Sequence, residues 1–184
     1  MKRTKTGKGT GNAFISYKVF KTAIGWCGVI ITERQIVRLF IGYTKLNKLI
    51  KHIMNEFGNK ISLTPPSRTA VEKIVRYCCG EKVSFAGLPM DWSSLTAFQQ
   101  KVFRAAMQIP YGKVETYGSL AQKIGVPKGS RAVGNALAKN PFPLLVPCHR
   151  IVRGDGKMGG FSAIGGIKLK KRLLSMEKAK KKRP

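Results

Sequence analysis

Apolar positions along the chain change their spacing, and each change predicts a different kind of element. From Ala13 to Gly42 they crowd into short runs of β-branched and aromatic residues. These are Phe14-Ile15-Ser16-Tyr17-Lys18-Val19-Phe20, then Trp26-Cys27-Gly28-Val29-Ile30-Ile31 after a break at Gly25, then Gln35 to Ile41. Such runs, bounded by turn residues, predict a meander of about three strands. From Thr44 the spacing becomes helical. Leu46, Leu49, Ile50 and Ile53 recur at three- and four-residue intervals up to Gly58. Ala70, Val71, Ile74 and Val75 do the same in a second helix, expected from Ser67 to Cys79 with Gly80 behind it. No chemistry declares itself in this half, and His52 reads as a surface or boundary residue. The extended stretch from Phe85 to Trp92 marks a boundary, placed as a linker over 89–95. An N-terminal domain over 13–88 and a C-terminal domain over 96–178 are expected on either side. The Lys/Gly/Thr-rich residues 1–12 and the basic residues 179–184 are expected to be disordered extensions.

The C-terminal half is predicted to be helical. Thr96 with Gln99 three residues on has capping-box spacing, and Phe98, Val102, Ala105 and Ile109 continue as an apolar stripe. After the turn Pro110-Tyr111-Gly112-Lys113, a short helix is expected from Thr116-Tyr117 to Ile124, capped by Gly125. Another should run from Ser130 to Lys139, stopped by Asn140-Pro141. Two short helices joined by a glycine-containing turn have the spacing of a helix-turn-helix, although a helical hairpin without a partner has it too. In the second helix Val133 and Leu137 can face the core, leaving Ser130, Arg131, Gly134 and Asn135 outward. Readers of major-groove edges usually carry long polar side chains. A face of small residues with one projecting arginine suits close, sequence-tolerant contact in the minor groove.

Composition narrows the partner. The 184 residues can hold one ordinary domain or two small ones, and an apolar fraction of 43% is enough for a true core. The net charge of +27, from 35 Lys+Arg against 8 Asp+Glu, is spread over the chain: +12 in residues 1–88 and +15 in residues 89–184. A polyanion is the natural partner, with nucleic acid ahead of a membrane surface. No apolar run approaches the ~18 residues of a membrane span, and no signal peptide opens the chain. Cysteines stand at 27, 78, 79 and 148 without a Cys-x-x-Cys pair, and His52 and His149 are the only histidines. That spacing does not build a zinc site, so neither a metal nor a cofactor is expected, and a reduced, intracellular protein is the better reading.

The candidate chemistry lies in Leu144-Leu145-Val146-Pro147-Cys148-His149-Arg150-Ile151-Val152. Two apolar runs have the character of buried strand or core segment, and Pro147 turns the chain between them. Cys148 is thereby presented from a core segment beside an imidazole and a guanidinium. Most buried cysteines are inert, and only the company of this one marks it as a nucleophile. Near the C-terminus, Ile167 to Lys178 predicts a basic helix with Leu173 and Leu174 inward. Glu177 falls on the same face. A carboxylate aimed at the core needs a partner, and His149 or one of the many lysines could supply it.

Pro147-Cys148-His149-Arg150, preceded by Arg131-Ala132-Val133-Gly134 and Asn140-Pro141, resembles the O6-alkylguanine-DNA alkyltransferase (methylated-DNA–protein cysteine methyltransferase) family. The likeness continues in Ile109-Pro110-Tyr111-Gly112-Lys113-Val114, Thr116-Tyr117, Gly159-Gly160-Phe161-Ser162 and Leu173-Leu174 with Glu177. It is dense over 95–178 and loose over 13–88. It implies a mixed α/β (α+β) fold, with a small ribonuclease-H-like N-terminal domain and a helical C-terminal domain carrying a helix-turn-helix. The implied activity is repair of duplex DNA: O6-alkylguanine, and O4-alkylthymine with it, is flipped out and its alkyl group passes irreversibly to Cys148. His149 would act through a bound water as the base, with Glu177 orienting the imidazole. Asn140 would tie the helix-turn-helix to the Cys148 turn. Arg131 would fill the stack, and Tyr117 would engage the flipped base and its phosphate. Ser162 would meet the guanine oxygen, and Val146 also falls in the implied substrate site. Gly129, Ser130, Ala132 and Gly134 would line the minor groove. A monomer without metal or cofactor, in the cytoplasm or nucleoid (the nucleus in a eukaryote), is implied.

The sequence departs from the family pattern at Phe161, where tyrosine is common, and at Lys178, where glycine is usual. Ala163-Ile164 also reads as a short insertion before Gly165-Gly166. A Glu177–His149 relay is expected to lower the Cys148 thiol below its reference of ~8.5. A cysteine hydrolase would want the same relay but would turn over and ignore DNA. A DNA-binding regulator would use the helices and leave the thiol idle or make it a sensor. Nothing in the sequence supplies chemistry to cleave a thioether, so a transferase of this kind should be consumed by one transfer.

Overall fold

The structure, a computed structural model, describes residues 15–32, 34–58, 61–62 and 68–179. The expected extension over 1–12 lies outside the described residues, as do Ala13, Phe14, Ser67 and residues 180–184 of the extension expected over 179–184, whereas Ala179 ends the last helix. The first half is a four-stranded sheet in the order β3-β2-β1-β4. Strands β1 (Ile15–Thr22), β2 (Gly25–Ile31) and β3 (Ile36–Tyr43) form the antiparallel meander that the apolar runs predict. Strand β4 (Ile61–Ser62) adds parallel to β1, and at two residues it is too short to leave a period in the sequence.

Successive side chains on a strand point to opposite faces, so a sheet buried on both sides needs two covers. Helix α1 (Leu46–Phe57) supplies one. Its Leu49 and Ile53 are fully buried with Tyr17, Ile30 and Phe40, and they press on β2 at Gly28, where a Cβ would stand 3.0 Å from Ile53 Cδ1. The other face carries Cys27, Val29, Leu39 and Ile41 into a larger core shared with the second half of the chain. Helix α2 (Arg68–Cys78) enters that core through Ala70, Ile74, Tyr77 and Cys78. The stripe in the sequence has Ala70 and Ile74 inward as found, but Val71 and Val75 with them in place of Tyr77 and Cys78. Both valines end half-buried, because the helix is rolled toward its Tyr77 edge.

The stretch from Phe85 to Trp92 is bound to the free edge of β3. Ile36 N donates to Pro89 O (2.8 Å) and Asp91 N to Ile36 O (2.8 Å), and Leu39 N reaches Pro141 O (2.9 Å). Helix α3 (Ala97–Met107) starts in the capping box expected at Thr96 and Gln99, and buries Val102, Phe103 and Ala106. Strand β5 (Glu115–Thr116) leads into helix α4 (Tyr117–Lys123), whose first turn is capped by the Thr116 hydroxyl. Helix α5 (Ser130–Ala138) buries Val133, Ala136 and Leu137. A 3-10 turn (Cys148–Arg150), strand β6 (Ile151–Val152) parallel to β5, and helix α6 (Gly166–Ala179) follow. Leu144 to Val146 is core but not strand.

Gly42, at φ +81°, is where the sheet meets the loop before α6. A Cβ there would run into the carbonyl oxygen of Ile164 and a methyl of Leu169. Gly42→Ala is therefore expected to lower the urea midpoint further than Thr96→Ala, whose lost cap costs about 1 kcal/mol. Equal midpoints in the two variants would contradict this packing.

Candidate active site

Every residue from Asn140 to Ile151 is buried. Backbone polar groups in such a run need partners inside the protein. Asn140 supplies several, because the chain leaves α5 there and turns back over its side chain. Its Nδ2 donates to Val146 O (3.1 Å) and to Cys148 Sγ (3.2 Å), while Oδ1 accepts from Phe142 N (2.9 Å). Backbone bonds from Val146 N to Phe142 O and from Cys148 N to Val146 O, both 2.8 Å, tighten the same turn. Leu144 is held at φ +74°, a left-handed conformation that costs a leucine about 1–2 kcal/mol and persists because the surrounding bonds over-determine it.

Behind the turn lies a buried polar cluster centred on Glu177. Its carboxylate accepts from Tyr77 Oη (2.5 Å), His149 Nε2 (2.9 Å), Arg150 Nη2 (2.8 Å) and Nε (3.0 Å to Oε2), and the Gly112 backbone N–H (2.9 Å). Arg150 Nη1 also donates to Ile109 O (2.7 Å). Burial by itself would push the Glu177 carboxyl up. The hydrogen bonds from His149, Arg150 and the Tyr77 hydroxyl hold it down at about 2. Burial pushes His149 below its ordinary value despite Glu177, so the imidazole is neutral at pH 7. With an ionised carboxylate on Nε2, that nitrogen carries the proton. Nδ1 is then the basic nitrogen, and it has no partner among the described residues.

The thiol departs from the sequence expectation. Cys148 is buried, and burial pushes it up, with partial relief from the Asn140 hydrogen bond and the Lys170 ammonium. Cys148 therefore rests as a thiol rather than a thiolate. Lys170 is itself fully buried. It donates to Ile151 O (2.5 Å) and Gly160 O (3.3 Å) and stands 5.8 Å from the centre of the Tyr117 ring. Burial brings its pKa down to about 8.

Cys148 opens into a groove of about 1000 Å³. Tyr117, Ser130, Arg131, Gly134 and Ser162 line it together, as do Asn135, Arg153, Gly159, Gly160 and Phe161. Arg131 and Ala132 are exposed on the outer face of α5. Gly159, at φ +67°, lies so close to Tyr117 that a Cβ would stand 2.9 Å from its ring. Asn140 bonds the thiol without lining the groove, and His149 and Glu177 are buried away from its lining. Gly129 and Ala132 flank the groove without lining it. Val146 does not line it: its side chain is sealed in the core, and its backbone bonds Phe142, Cys148 and Asn140.

Three participants escaped sequence reasoning. Tyr77 lies in the half where no chemistry was expected, yet a tyrosine three residues beyond Ile74 on an inward face must find a partner for its hydroxyl. Lys170 shares the α6 stripe of Leu169, Leu173 and Glu177, and its burial was masked by the many lysines around it. Arg150, seen only as a neighbour of the thiol, turns inward to Glu177.

Residues 97–179 match the family model described as 6-O-methylguanine DNA methyltransferase, DNA binding domain. The chain is 41% identical over 111 residues to a methylated-DNA–protein-cysteine methyltransferase of Mycobacterium bovis. That match covers 60% of this chain and 65% of the relative, so the chain spans just under two thirds of its length. A methyltransferase of the same name from Methanothermobacter thermautotrophicus is 38% identical over 125 residues, covering 67% of this chain and 68% of the relative. Among solved structures, Mycobacterium tuberculosis OGT in complex with DNA superposes with a TM-score of 0.73 at 30% identity, over 89% of this chain and 93% of that one. With the cysteine turn, the buried Glu177 cluster and the open groove in one place, this chain belongs to the methylated-DNA–protein-cysteine methyltransferase family.

Proposed function

We propose that the protein repairs alkylated duplex DNA by moving the alkyl group from O6 of guanine, and from O4 of thymine, to Cys148. The carrying observation is the join between the groove and the cluster: the Cys148 thiol opens into the groove, and the next residue, His149, holds a buried neutral imidazole on Glu177. In the reaction the sulfur attacks the alkyl carbon, an S–C bond forms, and the O–C bond breaks with its electron pair going to the base oxygen. The thiol proton leaves through a water toward His149 Nδ1 and ends on the released base. Glu177 holds the imidazole and balances its charge while it carries the proton.

The groove fits the rest of the reading. Helices α4 and α5 act as a helix-turn-helix that lays Ser130, Ala132 and Gly134 along the minor groove, with Gly129 at its start. Arg131 fills the space of the flipped nucleotide, while Tyr117 and the Ser162 backbone hold the base. Asn140 keeps the thiol turn in register with α5. The order β3-β2-β1-β4 with a parallel β4 supports a ribonuclease-H-like N-terminal domain over 13–88, joined through 89–95 to the alkyltransferase domain over 96–178. The protein acts as a monomer in the cytoplasm or nucleoid. No helix among the described residues is long and apolar enough to cross a membrane.

Labelled-methyl transfer from excess alkylated duplex to a known amount of protein is expected to plateau at one group per molecule. Cys148→Ala should accept none. Continued release would favour a hydrolase, and binding without transfer a regulator. Arg131→Ala should slow transfer far more than it weakens duplex binding, and affinity in both proteins should fall steeply with salt. The transfer rate should also hold at pH 7 and fall only below pH ~6.5, since a base whose pKa is lowered stays unprotonated until the solution is more acidic. A midpoint above that value would remove a buried neutral His149 from the mechanism.

A further inference from the structure

From the geometry we infer that Tyr77, on helix α2 of the N-terminal half, is a positioning residue for the transfer reaction, acting on His149 through Glu177. This rests on the reading of Cys148 as the alkyl acceptor and adds a part of the chain to it. Tyr77 is fully buried, packed against Phe85 (ring centres 5.4 Å apart), Tyr111 (6.1 Å) and His149 (6.4 Å). Its hydroxyl stands 2.5 Å from Glu177 Oε1 and 3.1 Å from His149 Nε2. It therefore bridges the two groups that set the basicity of the relay, from an element 72 residues earlier in the chain than His149.

Proton bookkeeping fixes what the bridge does. A phenol has one proton to give. Burial first, and then the negative charge of Glu177, push the Tyr77 hydroxyl well above its ordinary range, so it stays protonated. That proton goes to Oε1 of the ionised carboxylate, which leaves the phenol oxygen as an acceptor toward His149 Nε2. Both neighbours of Nε2 are then acceptors, and the imidazole is held with its proton on Nε2 and its lone pair on Nδ1. The phenol also draws charge from Oε1, the oxygen that Nε2–H uses. It moderates the pull of Glu177 on the imidazole and keeps His149 less basic than a bare carboxylate would make it. A structural tyrosine would need one partner for its hydroxyl. This one is placed on both members of the relay.

Tyr77→Phe removes the hydroxyl and keeps the ring, so the packing against Phe85 and Tyr111 survives. Single-turnover transfer should slow by roughly ten- to a hundredfold, the loss expected for one hydrogen bond to a charged group. Binding of alkylated duplex should be unchanged. The acidic limb of the pH–rate profile should move to higher pH as His149 becomes more basic. In a Glu177→Gln background, where the carboxylate is gone, Tyr77→Phe should cost much less than in the parent protein. If the parent transfers alkyl groups and Tyr77→Phe gives the same rate and the same acidic limb, Tyr77 is only a packing residue and the inference fails while the transfer reading stands. A variant with weakened duplex binding, or the same loss in both backgrounds, would equally overturn it. A parent that accepts no alkyl group would overturn the transfer reading itself.

Discussion

Glu177 is the constraint on which the arrangement depends. A carboxylate taken out of water costs several kcal/mol unless its lone pairs are filled by donors and its charge is balanced. Here the donors come from three separate places: Tyr77 on α2, Gly112 in the turn after α3, and His149 and Arg150 in the 3-10 turn. None of these segments can shift alone without leaving a buried charge or a buried donor unpaired. The thiol turn is thus fixed by a network that spans the chain, and the N-terminal sheet, through α2, belongs to the scaffold of the site.

The same burial sets the chemistry. An exposed thiol beside an imidazole would ionise readily and react with whatever reached it. Burial here holds Cys148 protonated and His149 neutral, so the pair rests uncharged. Charge works on two scales. The net +27 attracts a polyanion from a distance, whereas close to the thiol the Lys170 ammonium favours the thiolate as it forms.

Asn140 joins the two functions. It stands two residues beyond α5, the helix whose outer face lines the groove, and its side chain holds the Cys148 turn through Val146 O and Sγ. Anything that moves the end of α5 is felt at the Cys148 sulfur, 3.2 Å from Asn140 Nδ2. The small residues at Ser130 and Gly134 keep that helix face low, so a duplex could approach the groove without lifting α5 off its core residues Val133 and Leu137.

Local rules settled much of this in the sequence alone. Strands β1 to β3 follow from β-branched runs, and the ends of α1, α3, α4 and α5 follow from Gly58, Thr96, Thr116 and Asn140-Pro141, because those signals act within one turn of the chain. The inward face of α6, with Glu177 on it, is legible for the same reason. Tertiary structure decided what local rules do not reach. The roll of α2 that buries Tyr77 rather than Val71 and Val75, the two-residue strand β4, the buried Lys170, and the stitching of 89–91 onto β3 all depend on partners far along the chain. The raised thiol is the clearest case. The Cys148-His149 neighbourhood suggests an activated sulfur, but the pKa answers to how much water the whole fold leaves around it, and only the assembled core determines that.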